Sequence, residues 1–341
     1  MSDRIKSLLL SEDNETPHQA RCFLAHNLTL NQFTNLHALS LRHIGVNETM
    51  ERMMNEIRQM ISLVHLNIDK CCFQSTSLNI IWNLPRLTHC ELNGLNEICW
   101  SNGSTVRSLS LRHFCVRGYS IHSFPLKPFF DHTPHLQSFA MCFDPYFHSY
   151  EKLSLDVSSI ETLDLCLEYS HHVMQDLLKH VPNLSKLMVH MDGSYIGGHG
   201  WKNIITDYLP KLKVFRLWIT FDYRSETDGE QLVDELLDTF RTDFWVKVHK
   251  WFFRCCWTSE RQRNFVYFHT LSRTFSRRIL DDKTKFKSTD PRDTTYDHPQ
   301  SACVVPFRYS QTEYLSTDLL FEEKSWSAIH PQLVFHHSTM L

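Results

Sequence analysis

One short pattern recurs along this chain and limits its fold more than any other feature. It reads apolar-x-x-apolar-x-apolar. It occurs at Ile5-Leu8-Leu10, Leu36-Leu39-Leu41, Leu63-Leu66-Ile68, Leu87-Cys90-Leu92 and Val106-Leu109-Leu111, then at Leu136-Phe139-Met141, Ile160-Leu163-Leu165, Leu184-Leu187-Val189 and Leu212-Phe215-Leu217. The first residues of successive units lie 31, 27, 24, 19, 30, 24, 24 and 28 apart, a mean of about 26. One or two such triplets arise by chance in a leucine-rich chain; nine in order at near-constant spacing do not. Within a unit, alternation puts positions four and six on one side of a short strand, facing a core. Positions three, five and seven then face the other way.

Between the units lie helical patterns. Met50, Met53, Met54, Ile57 and Met60 share one face of a helix over 48–60. Val173, Leu177, Leu178 and Val181 do so over 171–181, and Trp201, Ile204, Ile205 and Tyr208 over 201–208. Four units open with Pro-x-Leu, at Pro85, Pro134, Pro182 and Pro210, where proline ends the preceding helix. Strand then helix at this period predicts an α/β fold, a curved leucine-rich-repeat solenoid. Its short parallel strands line the concave face and its helices the convex face, in about nine degenerate repeats plus a C-terminal cap. The position three past the last apolar residue, often Asn or Cys in such repeats, is filled to type only by Cys71.

The expected boundaries follow. Residues 1–225 form the solenoid. Residues 226–257 form a helical and aromatic capping region, with Leu232, Val233, Leu236, Leu237 and Phe240 and then Phe244, Trp245, Trp251, Phe252, Phe253 and Trp257. Residues 258–305, polar and rich in Ser, Thr, Asp and Arg, read as loop or disorder. Residues 306–341 read as a decayed repeat or tail. With 35 Lys and Arg against 38 Asp and Glu, no large basic footprint for nucleic acid is expected. No run approaches the ~18 apolar residues of a membrane span, and only three leucines follow the N-terminal charges, so a soluble protein of the cytoplasm or nucleus is expected. Cysteine numbers 11, with no Cys-x-x-Cys, and reduced thiols are expected.

The outward triplets of units two to nine supply the candidate site, a concave surface for a protein partner. They are Ala38-Ser40-Arg42, His65-Asn67-Asp69, His89-Glu91-Asn93, Ser108-Ser110-Arg112, Ser138-Ala140-Cys142, Thr162-Asp164-Cys166, Lys186-Met188-His190 and Val214-Arg216-Trp218. The candidate contact residues are Arg42, His65, Asn67, Asp69, His89, Glu91, Arg112, Asp164, Lys186, His190, Arg216 and Trp218. Charges of both signs suit protein recognition and not a phosphate track. Arg216 and Trp218 are of the types that dominate interface energetics. His65 and His89 stack in one column near Asp69 and Glu91; two exposed histidines are the preferred reading over a metal site, since no closed ligand set is evident. Cys142 and Cys166 stack likewise and are expected as free thiols. Gly193 and Gly198 have P-loop spacing, but His199 and Gly200 replace the Lys and Ser/Thr that the chemistry needs. A nucleotide-using enzyme built on 193–200 is therefore only a remote alternative. No catalytic set, cofactor or metal is expected.

The stretch from Gly200 through Trp201, Ile204, Tyr208, Pro210 and Leu212 to Leu217 resembles a block of the F-box/leucine-rich-repeat proteins, as found in one expanded invertebrate group. Leu236 to Trp245 and His249-Lys250-Trp251-Phe252 resemble its continuation. The resemblance covers residues 4–257, and weakly 285–330. It implies the substrate-recognition part of a ubiquitin-ligase adaptor, whose F-box docks on a Skp–cullin scaffold while the repeats hold the substrate. Met1 stands four residues before the first unit, so the F-box itself is expected to be missing and a scaffold partner only if one lies upstream. A stand-alone scaffold or inhibitor-like binder without a ubiquitin link is the alternative.

Overall fold

A computed structural model of the chain describes residues 4–45, 47–72, 77–94, 107–118, 126–143, 157–169, 171–223, 228–259, 264–271 and 285–292. Nine parallel strands follow the repeat: β1 (Ser7–Ser11), β2 (Ala38–Arg42), β3 (His65–Asp69), β4 (His89–Asn93), β5 (His113–Arg117), β6 (Ser138–Phe143), β7 (Thr162–Glu168), β8 (Lys186–Asp192) and β9 (Val214–Tyr223). Three more, β10 (Phe253–Ser259), β11 (Asn264–Thr270) and β12 (Lys285–Ser288), complete one open sheet in the order β1 to β9, β11, β10, β12. Among the described residues, seven α-helices lie between the strands: α1 (Gln19–Ala25), α2 (Asn47–Ile57), α3 (Ser77–Trp82), α4 (Leu126–His132), α5 (His171–Leu178), α6 (Gly198–Tyr208) and α7 (Gly229–Thr239).

Most of the repeat strands are launched by the same small device. A tight turn ends in the position-one leucine or isoleucine: Leu36 N–H donates to the Phe33 carbonyl, Leu87 to Leu84, Leu136 to Thr133, Ile160 to Val157, Leu184 to Val181 and Leu212 to Leu209. Pro85, Pro134, Pro182 and Pro210 take the second place of such turns. There the fixed φ of proline suits the backbone and its missing N–H leaves no bond unmade. Next, one position-two carbonyl accepts two N–H groups from the following repeat. The His37 carbonyl takes Val64 and His65, both at 2.8 Å, and the Glu161 carbonyl takes Ser185 at 2.9 Å and Lys186 at 3.0 Å. Strand exits repeat as well. His43, Lys70, Gly94, Tyr169 and Gly193 each follow a strand with φ between 51 and 75°. His43, Lys70, Gly94 and Gly193 donate to a carbonyl of the next strand's last residues at 2.6–2.9 Å.

Positions one, four and six point at the helices and form one continuous core. Leu36, Leu39 and Leu41 are buried, as are Leu63, Leu66 and Ile68, and so on to Leu212, Phe215 and Leu217. Removing each such side chain from water contributes about 1.5–3 kcal/mol. The helices meet them with their apolar faces: Met50, Met53, Met54 and Ile57 on α2, Val173, Leu177 and Leu178 on α5, Trp201, Ile204 and Ile205 on α6, while Tyr208, expected on the same face of α6, is exposed. Cys71 fills the repeat's turn position. It is buried, accepts from the Ile44 N–H at 3.4 Å and reaches the Leu41 carbonyl at 3.5 Å.

Unit five corrects the sequence reading. Its strand is β5, paired His89↔His113 and His113↔Ser138, so the unit is Leu111-Phe114-Val116 and not Val106-Leu109-Leu111. Leu111, Phe114 and Val116 are buried, whereas Leu109 is 62% exposed. Val106 lies outside the described residues. The steps from Leu87 to Leu111 and from Leu111 to Leu136 become 24 and 25 residues, which removes the irregularity. The aromatic ring at Phe114 also explains the choice, because it packs on Trp82 (5.6 Å), Phe129 (4.8 Å) and Phe139 (6.5 Å).

The far end closes through aromatic packing. Phe240 lies 4.4 Å from Phe253 and 4.7 Å from Phe268, and Trp245 is fully buried. β11 adds antiparallel to β9, β10 to β11 and β12 to β10. β11 and β12 fall within the stretch read as loop from composition. Their alternation is short and interrupted; β11 is templated by β9 and β10, and β12 by β10. Residues 306–341 lie outside the described residues. Asp228 caps α7 by accepting from the Glu230 N–H at 2.9 Å. Lys287 on β12 ties back to α7 through Asp234 at 2.7 Å and Glu230 at 2.9 Å.

Gly198 sets how closely α6 approaches the cap. A Cβ there would stand 2.2 Å from the Thr239 carbonyl oxygen, and backbone cannot yield. Gly198→Ala is expected to cost about 2 kcal/mol by overpacking, while Gly45→Ala, with nothing within 4 Å, stays within about 0.5 kcal/mol of wild type; urea unfolding of the two variants checks the contrast.

Candidate protein-interaction face

Strand pairing stacks positions three, five and seven into rows on the side of the sheet away from the helices. Row three runs Ala38, His65, His89, His113, Ser138, Thr162, Lys186, Val214. Row five runs Ser40, Asn67, Glu91, Cys115, Ala140, Asp164, Met188, Arg216, and row seven begins Arg42, Asp69, Asn93, Arg117 and continues through Cys166 and His190 to Trp218.

Three histidines stack face to face in row three. The His65 and His89 rings lie 4.3 Å apart, and His89 and His113 lie 4.1 Å apart at 15°. The sequence reading found the first two and missed His113, because its unit five was placed five residues early. Burial lowers all three imidazoles from their ordinary value, and the neighbouring rings add to the effect. His89, in the middle, is brought to about 3. His37 beside His65 and Arg112 beside His113 act in the same direction. The ladder is therefore neutral at neutral pH. With rings stacked, the in-plane nitrogen lone pairs do not converge on one point. Among the described residues, no group of three or more His, Cys, Asp or Glu is placed to hold a metal ion.

A second feature is a charge pair that spans two strands. The Arg117 guanidinium on β5 reaches Asp164 on β7 at 2.6 Å. It crosses β6 where the outward residues are Ala140 and Cys142, both small. Asp164 is only 8% exposed, and a carboxylate buried this far needs such a partner to offset its lost hydration. Nearby, burial raises Glu91 and Asp69 above the usual carboxylate range, against the opposing pull of Arg117 and Arg42 on Glu91 and of Arg42 and Lys70 on Asp69. Arg117 was absent from the candidate residues; its signal was the Leu111-Phe114-Val116 register.

At the cap end, Trp218 stacks between His190 (5.6 Å, 13°) and His269 (5.6 Å, 33°). It is 7% exposed, so it holds the face together and is not a free anchor. Of the sequence candidates, Arg42, His65, Asn67, Asp69, His89, Glu91, Lys186, His190 and Arg216 are half-buried on this face, and Asp164 and Trp218 are buried on it. Arg112 is not. It precedes β5, and its guanidinium donates to the carbonyls of Leu109 at 3.0 Å and Leu111 at 3.2 Å. Cys142 and Cys166 are free thiols in register. Cys256 is disulfide-bonded, a departure from the expectation of reduced thiols throughout.

The glycine-rich stretch at 193–200 is explained by packing. Gly193 has φ +75° and lies under the Tyr169 ring, and the Gly198 N–H donates to Thr239 Oγ1 at 2.8 Å. The first turn of α6 thus meets α7, where a phosphate would have to sit.

An open, mainly parallel sheet with evenly spaced apolar-x-x-apolar-x-apolar strands and helices on one side defines a leucine-rich-repeat solenoid. No protein-family model matches the chain, and no curated protein matches it. Two solved structures are similar to it in part. One is a TLR13–ssRNA13 complex, with a TM-score of 0.39 and 15% identity over 66% of this chain and 37% of that one. The other is the internalin InlF of Listeria monocytogenes, with a TM-score of 0.28 and 13% identity over 62% and 67%. The chain thus spans little more than a third of the TLR13 chain. Neither likeness bears on function. No helix among the described residues is long and apolar enough to cross a membrane.

Two outcomes follow for this face. Arg117→Met strands a buried carboxylate and is expected to destabilise the fold by about 2–4 kcal/mol; adding Asp164→Leu recovers much of the loss, because the apolar pair needs no desolvation. The histidine ladder makes stability depend on pH. Unfolded histidines take up protons near 6.5 while the folded ladder stays neutral, so stability is full above 6.5 and falls as pH drops from there toward 3. Urea midpoints between pH 7 and 5 should fall less steeply for His89→Asn than for wild type.

Proposed function

We propose that the open strand face holds another protein. The observation that carries this reading is the half-buried group Arg42, Asn67 and Asp69 on the side of β2 and β3 away from the helices. Ser40 Oγ, Arg42 Nε and Asn67 Oδ1 are shut off from water yet make no hydrogen bond among the described residues. They are close in register, Ser40 beside Asn67 and Arg42 beside Asp69. Buried polar atoms are nearly always bonded; these three lie too deep for a partner to reach where they stand, and their unmade bonds leave the side chains that carry them able to turn toward one. The helices cover the other face of the sheet, so this one is left to a ligand, as is usual for solenoids. Half-buried charges of both signs give such a face selectivity more than bulk affinity.

We infer further that the bound protein is the substrate of a ubiquitin ligase, with this chain as the recognition part of an F-box-type adaptor. That step rests on the resemblance of residues 200–217 and 236–252 to the F-box/leucine-rich-repeat block. No residue here would carry out chemistry; the repeats would hold the target while other subunits transfer ubiquitin.

The test compares wild type with Arg42→Glu and Asn67→Leu by in-cell cross-linking and mass spectrometry, after circular dichroism has shown both variants folded. A partner captured by wild type and lost at least tenfold in both variants supports the face. An identical partner set in all three chains rejects it. Co-purification with Skp–cullin subunits, and accumulation of the captured partner when the protein is depleted, support the ligase role. A captured partner with neither effect leaves a stand-alone binder.

A further inference from the structure

A groove of about 800 Å³ runs along the edge of the sheet where β5 to β9 begin. This edge is separate from the open strand face. Its lining includes the residue just ahead of each of these strands: Arg112, Gln137, Glu161, Ser185 and Lys213. That row is stiff. The carbonyls of Arg112, Gln137, Glu161 and Ser185 each accept two N–H groups from the next repeat at 2.8–3.0 Å. The spacing along the row is therefore the strand separation, about 4.8 Å. Arg112 and Lys213 stand four strands apart, about 19 Å, with Glu161 midway.

The row thus presents positive, negative and positive charge at intervals of about 10 Å. The charges are available. Glu161 and Lys213 are exposed, and neither side chain makes a hydrogen bond or ion pair among the described residues. Arg112 is held in place through Nη1 alone. Lys211, bonded to Asn183 Oδ1 at 2.6 Å, adds a second cation beside Lys213, and Leu212 gives the groove an apolar patch.

We propose that this groove binds an extended peptide segment that crosses the strands, with two acidic side chains about six residues apart and a basic side chain midway between them. A polyproline II strand has three residues per turn and rises about 3.1 Å per residue, so residues i, i+3 and i+6 share one face at intervals of about 9.3 Å. That matches the charge row. A nucleic-acid backbone fits worse, since successive phosphates would meet Glu161 where they need a cation.

The experiment measures fluorescence anisotropy of labelled seven-residue peptides with the full chain at low salt. One peptide reads Glu-Pro-Pro-Lys-Pro-Pro-Glu and the other has every charge reversed. The first is expected to bind at least tenfold more tightly than its reverse. Lys213→Glu should weaken it about tenfold. Glu161→Lys should shift preference to Glu-Pro-Pro-Glu-Pro-Pro-Glu. Both substitutions are at exposed side chains, and circular dichroism verifies the fold. Equal binding of the two peptides, no binding of the first at millimolar concentration, or displacement of it by a single-stranded RNA oligonucleotide would overturn the proposal.

Discussion

The whole solenoid hangs on one repeated hydrogen-bond arrangement, the carbonyl that accepts two N–H groups from the next repeat. Lys6, His37, Val64, Thr88, Arg112, Gln137, Glu161 and Ser185 all do this. Each lies one residue after an apolar anchor, buried in every repeat but the first, where Ile5 is half-buried. The anchor fixes depth against the helices, and the paired N–H groups fix register against the next strand. A slip by one residue would turn every core side chain outward. Backbone bonding and apolar burial therefore enforce the same alignment at each step, and a chain with weak sequence identity between its repeats still builds an even sheet.

That alignment also creates the surface chemistry. Because position three always meets position three, His65, His89 and His113 are pressed into a ladder and kept neutral. Because Ala140 and Cys142 are small, Arg117 can span from β5 to Asp164 on β7. The open face is accordingly a braced layer in which much polar functionality is already committed, and the uncommitted atoms at Ser40, Arg42 and Asn67 stand out against it. The same register, read one residue earlier, sets out the charges of Arg112, Glu161 and Lys213 along the edge groove. One scaffold thus presents two distinct surfaces, the open strand face and the edge groove.

The cap solves a different problem. A stack of parallel strands would end with the edge of β9 exposed, and an unpaired edge invites association. β11 pairs there antiparallel, and Phe240, Trp245, Phe253 and Phe268 fill the last core layer. Gly198 and Thr239 join this block to the final repeat helix at backbone distance, so the cap is continuous with the solenoid core.

The repeat, its period and the inward residues were legible in the sequence, because position-one, four and six apolar residues recur without reference to anything distant. The helices were legible for the same reason, as Met50, Met53, Met54 and Ile57 show. What the sequence left ambiguous was register wherever two triplets overlapped. Leu109-x-Leu111 and Phe114-x-Val116 both satisfy the pattern, and only packing of Phe114 against Trp82, Phe129 and Phe139 decides between them. With that choice went Arg112, which left the face, and His113 and Arg117, which joined it. Trp218 looked like an exposed anchor on composition alone, but two stacked histidines from β8 and β11 bury it. β11 and β12 were hidden because the polar composition of 258–305 masks them: β11 is a short aromatic segment inside that stretch, and β12 is a four-residue polar strand specified by its pairing with β10. Local spacing fixes which residues face the core; only neighbouring strands determine which outward residues touch, which charges meet and which polar atoms remain without a partner.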